Sequence, residues 1–76
     1  MKVDAKLKIY DDNGDFSEDT VPVNISYVGD EEEMISWVEE EVYRKYGKSL
    51  LYGRDFSIAN FDEILEEMEQ VAWNFS

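Results

Sequence analysis

The chain has 76 residues, with 19 acidic and 7 basic side chains that give a net charge of −12. It contains neither cysteine nor histidine, which excludes disulfides, thiolate nucleophiles, histidine general bases and the usual zinc sites. The chain is 43% hydrophobic and 14% aromatic. This composition predicts one folded domain over residues 1–76 rather than a disordered acidic tail.

The apolar runs are too short to suggest a targeting or membrane segment. The start of the chain lacks the apolar core of a signal peptide, and no run approaches the roughly 20 residues that cross a bilayer. The negative charge should also repel anionic lipid and nucleic acid, since phosphate binding requires lysine and arginine. We therefore expect a cytoplasmic protein that binds neither membranes nor nucleic acid directly.

Two alternating segments predict a β-hairpin at the N-terminus. Hydrophobic and polar residues alternate over residues 2–10 and again over residues 20–28, with the period of half-buried strands. The connection from Asp11 to Asp19 contains an Asn-Gly turn signal, so we expect a long acidic loop. Pro22 lacks a backbone donor and predicts an edge strand. Three lysines on the outer face of the first strand are expected to discourage edge pairing; they are Lys2, Lys6 and Lys8.

The next segment predicts a helix that ends near Tyr46. Asp30 followed by Glu33 suits an N-cap, and Gly47 suits the left-handed position that ends a helix. The inward side is expected to hold Met34, Ile35, Val38, Val42 and Tyr46. On the acidic side, we expect ion pairs four residues apart, namely Glu40–Arg44 and Glu41–Lys45.

A short strand and a second helix complete the predicted fold. Phe56 and Ile58 alternate with polar neighbours, which indicates a third strand. Asn60 is a candidate N-cap for the second helix, with Glu63 three positions later. Its inward side is expected to hold Phe61, Ile64, Leu65, Met68, Val71, Ala72 and Phe75. The sequence thus predicts an α+β fold in the order β-β-α-β-α, with both helices on one face of a small antiparallel sheet.

The basic residues are unevenly placed along the chain. No base lies between Lys8 and Arg44, a stretch with twelve carboxylates, and none follows Arg54, after which come six more. A charge of this size destabilises a compact domain by self-repulsion. The distribution favours a negative surface that meets a basic partner, although a run of glutamates is most often only a solvated helix face.

Each predicted helix carries a tryptophan on its acidic side. Tryptophan is a frequent anchor at protein interfaces, and carboxylates accelerate the approach of a basic partner. The alternative is that a tryptophan at the edge of a helix packs beneath a loop. The candidate partner-binding residues are Asp11, Asp12, Asp15, Glu32, Glu33, Trp37, Glu39, Glu40, Glu41, Asp62, Glu66, Glu69 and Trp73.

Chemistry-bearing motifs are missing elsewhere. The segment from Asp11 to Asp15 resembles a calcium loop only loosely, because the twelfth position from Asp11 is Pro22 instead of glutamate. Paired carboxylates could support glycosidase chemistry, but so small a domain rarely holds a cleft. We expect no enzyme activity, cofactor or metal, and the sequence leaves the oligomeric state open.

A carboxylate row on a helix can occupy a cationic channel that normally binds phosphates. In size, acidic blocks and lack of histidine and cysteine, the chain resembles the small acidic phage anti-defence proteins, the DNA-mimic anti-CRISPR and anti-restriction inhibitors. The resemblance implies an inhibitor that blocks the nucleic-acid channel of a basic complex such as a CRISPR effector. The alternatives are an immunity protein or antitoxin for a basic nuclease, and an acidic interaction domain without catalysis.

Overall fold

In a computed structural model that describes residues 2–25 and 29–75, the chain has the predicted α+β fold and element order. The elements are β1 (Lys2–Tyr10), β2 (Phe16–Asn24), α1 (Glu31–Tyr46), β3 (Phe56–Ile58) and α2 (Phe61–Phe75). The strands form one antiparallel sheet in the order β2-β1-β3. Among the described residues, no helix combines the length and the apolar character needed to cross a bilayer.

The hairpin turn is shorter than predicted, because β2 begins at Phe16. The side chain of Asp11 accepts hydrogen bonds from the backbone N–H groups of Asn13 and Asp15 at 2.9 and 3.0 Å, and Gly14 has a φ of +86°. These bonds close the turn within five residues, so Tyr10 already pairs with Phe16. The long acidic loop was a wrong prediction, since Glu18 and Asp19 lie within the strand.

The position of β1 corrects one prediction and the position of β2 confirms another. β2 is an edge strand, as Pro22 predicted. β1 is the central strand, so its three lysines cannot protect an edge. They lie on the open face of the sheet instead, because side chains of alternate residues point to opposite faces.

Both helices pack on the same face of the sheet. The residues of α1 and α2 that point inward meet the alternate residues of the three strands in one hydrophobic cluster. Its buried members are Val3, Ala5, Leu7, Val21, Val23, Ile25, Met34, Val38, Val42, Phe56, Ile58, Ile64, Met68 and Val71. The second predicted strand extended to residue 28, and residues 26–28 lie outside the described residues, as do the side chains of Ala72 and Phe75. Because neither described helix lies on the opposite face, the described part of the chain has two layers.

The ends of α1 follow the predicted capping pattern. The Asp30 side chain accepts a hydrogen bond from the N–H of Glu33 at 2.8 Å, and Gly47 adopts a left-handed conformation with φ of 71°. Its N–H donates to the carbonyl of Tyr43 at 2.8 Å. Carboxylates in the first turn and bases in the last turn also suit the helix dipole. Local sequence therefore determines the length of α1.

Asn60 anchors α2 to the sheet and does not cap the helix through its side chain as predicted. Its Oδ1 accepts from the backbone N–H of Lys6 at 2.8 Å, and its Nδ2 donates to the carbonyl of Asp4 at 2.7 Å. The short β3 leaves these backbone groups of β1 without a strand partner, and Asn60 supplies both a donor and an acceptor. The start of α2 is thereby fixed against the central strand.

Candidate protein-binding surface

The tertiary structure separates the charge of the chain into layers. α1 contains six acids and two bases, and α2 contains five acids and no base, so the helices carry nine of the twelve excess negative charges. β1 contains three lysines and one aspartate, and β2 contains two acids and no base, so the two strands together have no net charge. The negative surface is therefore the helical layer, and the open face of the sheet lies opposite to it.

The outer side of α2 brings four of the predicted residues together. Asp62, Glu66, Glu69 and Trp73 follow one another at spacings of four, three and four residues, which places them on one side of a helix. All four are exposed, and Trp73 has a relative accessibility of 74%. At 1.5 Å per residue, this outer ridge of α2 is about 16 Å long.

Within the described residues, the carboxylates of α2 form no ion pair. No basic residue follows Arg54 in the sequence, so the helix has no base of its own. An uncompensated row of this kind produces a negative potential that a basic partner can use. Of the predicted residues, the outer ridge of α2 fits the hypothesis best.

The acids at the C-terminal half of α1 are partly committed to contacts within the domain. Arg44 binds Glu40 at 3.0 Å and Glu41 at 2.9 Å, and 25% of the Glu41 side chain is exposed against 61% for Glu40. A carboxylate oxygen of Glu39 accepts from the backbone N–H of Tyr52 at 3.2 Å. Glu39, Glu40 and Glu41 therefore offer less unpaired charge than their position in the sequence suggests.

The acids at the start of α1 remain exposed. Glu32 and Glu33 lie in the first turn, where carboxylates are stabilised by the helix dipole. They extend the negative surface of the helical layer at a site that Arg44 and Lys45, in the last turn, do not neutralise.

The predicted ion pair of Glu40 with Arg44 is confirmed, but that of Glu41 with Lys45 is wrong. Lys45 turns toward β2 and binds Asp19 at 2.7 Å, and Asp19 also accepts a hydrogen bond from the Tyr46 hydroxyl. The Lys45 ammonium and the Tyr46 hydroxyl lower the pKa of Asp19 to about 2. Burial, together with the bond to Asp19, raises the pKa of Tyr46 to about 12. This cluster joins the end of α1 to the edge strand.

The two tryptophans occupy different environments. Trp37 is half-buried and packs against the core. A Cβ built on Gly29 would lie 3.2 Å from Cη2 of its ring, so the indole lies directly against the backbone of the segment that enters α1. This contact favours the packing role for Trp37, whereas Trp73 lies on the exposed ridge.

Tyr43 is an exposed aromatic residue that the sequence analysis did not select. It lies on the outer side of α1, where 56% of its surface is accessible. The helical spacing of the sequence already indicates this exposure, because Tyr43 follows the buried Val42 by one residue and so lies roughly opposite the inward side of α1. It gives α1 an aromatic contact residue in place of the half-buried Trp37.

The hairpin turn places three further candidates at one end of the sheet. Asp11, Asp12 and Asp15 are exposed, and Asp11 is occupied by the turn bonds described above. In the described part of the chain, no hydrogen bond or ion pair connects these carboxylates with either helix. They form a separate acidic site rather than a continuation of the helical surface.

The open face of the sheet has a different character from the helices. A depression of about 400 Å³ is lined by Lys6, Leu7, Lys8, Glu18, Asp19, Thr20 and Ala59. Near the hairpin turn, the Lys8 ammonium lies 5.1 Å from the centre of the Phe16 ring. Positive and negative side chains alternate across this face, so it presents no coherent negative field.

Comparisons with protein-family models, curated proteins and solved structures find no match for the chain. The interpretation of the acidic surface therefore depends on its geometry and chemistry.

Proposed function

We propose that this chain is an acidic decoy inhibitor that occupies the nucleic-acid-binding channel of a basic protein complex in the cytoplasm. A CRISPR effector is one such complex. The observation that carries the proposal is the concentration of nine negative charges on the helical layer, with none in excess on β1 and β2. A domain that needed charge only for solubility would have no reason to segregate it.

The dimensions of the domain suit a phosphate mimic. The chain measures 47 × 21 × 17 Å along its principal axes, and a length of 47 Å corresponds to about 14 base pairs at 3.4 Å each. Along the ridge of α2, successive residues rise by about 4.5 to 6 Å. A channel whose lysines and arginines bind phosphates can therefore meet several carboxylates at once.

The exposed side chains divide the work of binding. The carboxylates Asp62, Glu66 and Glu69 would accelerate association with a basic surface, in a manner that added salt weakens. Trp73 would contribute a large contact area and slow dissociation, as aromatic anchors do. Glu32, Glu33 and Tyr43 would extend the contact along α1.

A pair of charge-matched variants tests the proposal. E66Q/E69Q removes two exposed charges from the ridge of α2, whereas D4N/E18Q removes two exposed charges from the open face of the sheet. The proteins are immobilised and used to capture binders from a bacterial lysate across a salt series. Duplex DNA is added in parallel as a competitor.

The proposal predicts retention of a nucleic-acid-binding protein that DNA displaces and salt releases. E66Q/E69Q should weaken its capture more than D4N/E18Q. Equal capture by both variants, or a bound protein that DNA does not displace, would contradict the decoy mechanism. Capture of one nuclease toxin, with rescue of cells that express it and no competition from other DNA-binding proteins, would identify an immunity protein instead.

A further inference from the structure

The outer edge of β2 is a potential site of self-association. β2 has nine residues and pairs with β1 on one side only. An edge strand of this length presents unpaired N–H and C=O groups, which can pair with another chain. The protection of this edge depends on which backbone groups of β2 point outward and on what they bond to.

Even-numbered residues of β1 direct their backbone groups toward the β3 side of the sheet. The carbonyl of Lys6 accepts from Ala59 at 2.7 Å, and the N–H of Tyr10 donates to Asp55 at 3.0 Å. Successive residues of an antiparallel strand bond to opposite neighbours, so the odd-numbered residues of β1 bond to β2. By the observed register, the residues of β2 whose backbone groups point outward are Phe16, Glu18, Thr20, Pro22 and Asn24.

The centre of this edge is occupied by groups from the same chain. The N–H of Thr20 donates to the side chain of Asp19 at 2.7 Å, and its carbonyl accepts from the ammonium of Lys45 at 3.1 Å. Pro22, the next outward residue, has no N–H to offer. Of two consecutive outward positions, Thr20 therefore offers a further strand neither its donor nor its acceptor, and Pro22 offers no donor.

We propose that Asp19, Lys45 and Pro22 form an edge guard that prevents a second copy of this chain from pairing with β2. A second copy is the occupant that the sequence of the strand fits. In an antiparallel pair centred on Thr20, the two threonines would face each other, Phe16 would face Asn24, and Glu18 would face Pro22. No pair of like charges would be directly opposed, so the facing side chains of the two strands do not prevent this pairing.

Lys45 is the member of the guard that lies at the end of α1. Its bonds to Asp19 and Thr20 direct its side chain toward β2 and away from Glu41. A lysine in the last turn of a helix is already placed favourably by the helix dipole. Its reach to Thr20 closes the sheet edge without a covering element. The surface proposed for the basic partner, on the outer side of the helices, then stays free in a monomer.

Restoration of the edge provides the test. P22T/K45M returns a donor at position 22 and frees the carbonyl of Thr20. P22T/K48M has the same composition and net charge, but it changes an exposed lysine that lies outside the guard. Sedimentation velocity over a concentration series gives the mass, circular dichroism checks the fold, and P22T/D19A provides a second route to an open edge.

We expect wild type and P22T/K48M to sediment as monomers of 8.9 kDa, while P22T/K45M shifts toward twice that mass as concentration rises. Hydrogen exchange should then slow at outward residues of β2 in the dimer. The proposal is overturned if the folded P22T/K45M and P22T/D19A proteins stay monomeric, if P22T/K48M dimerises equally, or if β2 gains no protection. These outcomes do not depend on the basic partner.

Discussion

Replacement of the two tryptophans by alanine should separate packing from binding. Trp37 packs against the core and against Gly29, whereas Trp73 is 74% accessible. Loss of a fully buried tryptophan costs about 3–5 kcal/mol, and the half-buried Trp37 should cost about 2 kcal/mol. For Trp73 we expect a loss below about 0.5 kcal/mol, as for most exposed positions.

Urea unfolding followed by circular dichroism measures this difference. A domain of 76 residues has a free energy of unfolding of about 4–11 kcal/mol, so the loss at Trp37 is a large fraction. With a slope of about 1 kcal/mol per M, W37A should lower the midpoint by about 2 M and W73A by less than about 0.5 M. W37F, which keeps a ring at this position, should lie between wild type and W37A.

The interpretation of the tryptophans would be refuted if W73A destabilised the fold as much as W37A. It would equally be refuted if W37A left the midpoint unchanged. Once a basic partner is identified, W73A should increase its dissociation rate without a change in stability.

Three further predictions concern the contacts that join the elements. Because the pKa of Asp19 is lowered from 3.8 to about 2, its stabilising effect is present above about pH 4 and is lost as the pH falls toward 2. The unfolding midpoints of wild type and D19N should therefore converge near pH 2. A difference between the two midpoints that stays constant with pH would contradict this. The pKa of Tyr46 is raised from 10.0 to about 12, so the contribution of its protonated hydroxyl to stability is lost as the pH rises through that range. The difference in unfolding midpoint between wild type and Y46F should shrink over the same range. N60A removes the bonds to Lys6 and Asp4 and should cost about 1–3 kcal/mol in urea unfolding. N60D keeps an acceptor for the Lys6 N–H but sets a carboxylate oxygen against the Asp4 carbonyl and the Glu63 carboxylate, so it should not recover the loss. An unchanged N60A would refute the anchoring role.

Much of the fold could be predicted because the signals are local. The alternation over β1, the cap at Asp30 and the left-handed Gly47 each depend on residues within a few positions. The periodic hydrophobic residues also place most of the inward sides of both helices, although Tyr46 is exposed and Ile35 lies outside the core cluster, whereas Trp37 packs against it. Fold class and helix bounds therefore follow from short-range patterns.

The errors concern interactions between distant parts of the chain. The start of β2 was missed because Phe16–Thr20 is mostly exposed and polar, so its strand character depends on pairing with β1. The side chain of Asn60 was assigned to its own helix, although β1 provides a better set of partners. The prediction paired Lys45 with Glu41, its neighbour within the helix. The competing partner Asp19 is 26 residues away in sequence, and it comes close only because α1 packs against β2.

The candidate surface was predictable in composition but not in arrangement. The long acidic runs and the outward position of Trp73 on α2 are visible in the sequence. Side-chain geometry in the folded chain decides that Arg44 pairs with both Glu40 and Glu41. It also decides that Trp37 packs against Gly29.

The amino-acid order alone determined how many charges the chain carries, which residues alternate or recur with helical spacing, and where α1 begins and ends, because these depend on neighbours along the backbone. Only the packing of elements decided that β1 lies in the middle, that Lys45 and Asn60 bond to strands, and that the open face of the sheet lies opposite the acidic helices. The reason is that burial of the apolar sides leaves most carboxylates of the helices on the outer side, whereas no local pattern specifies the strand order or the contacts between distant side chains.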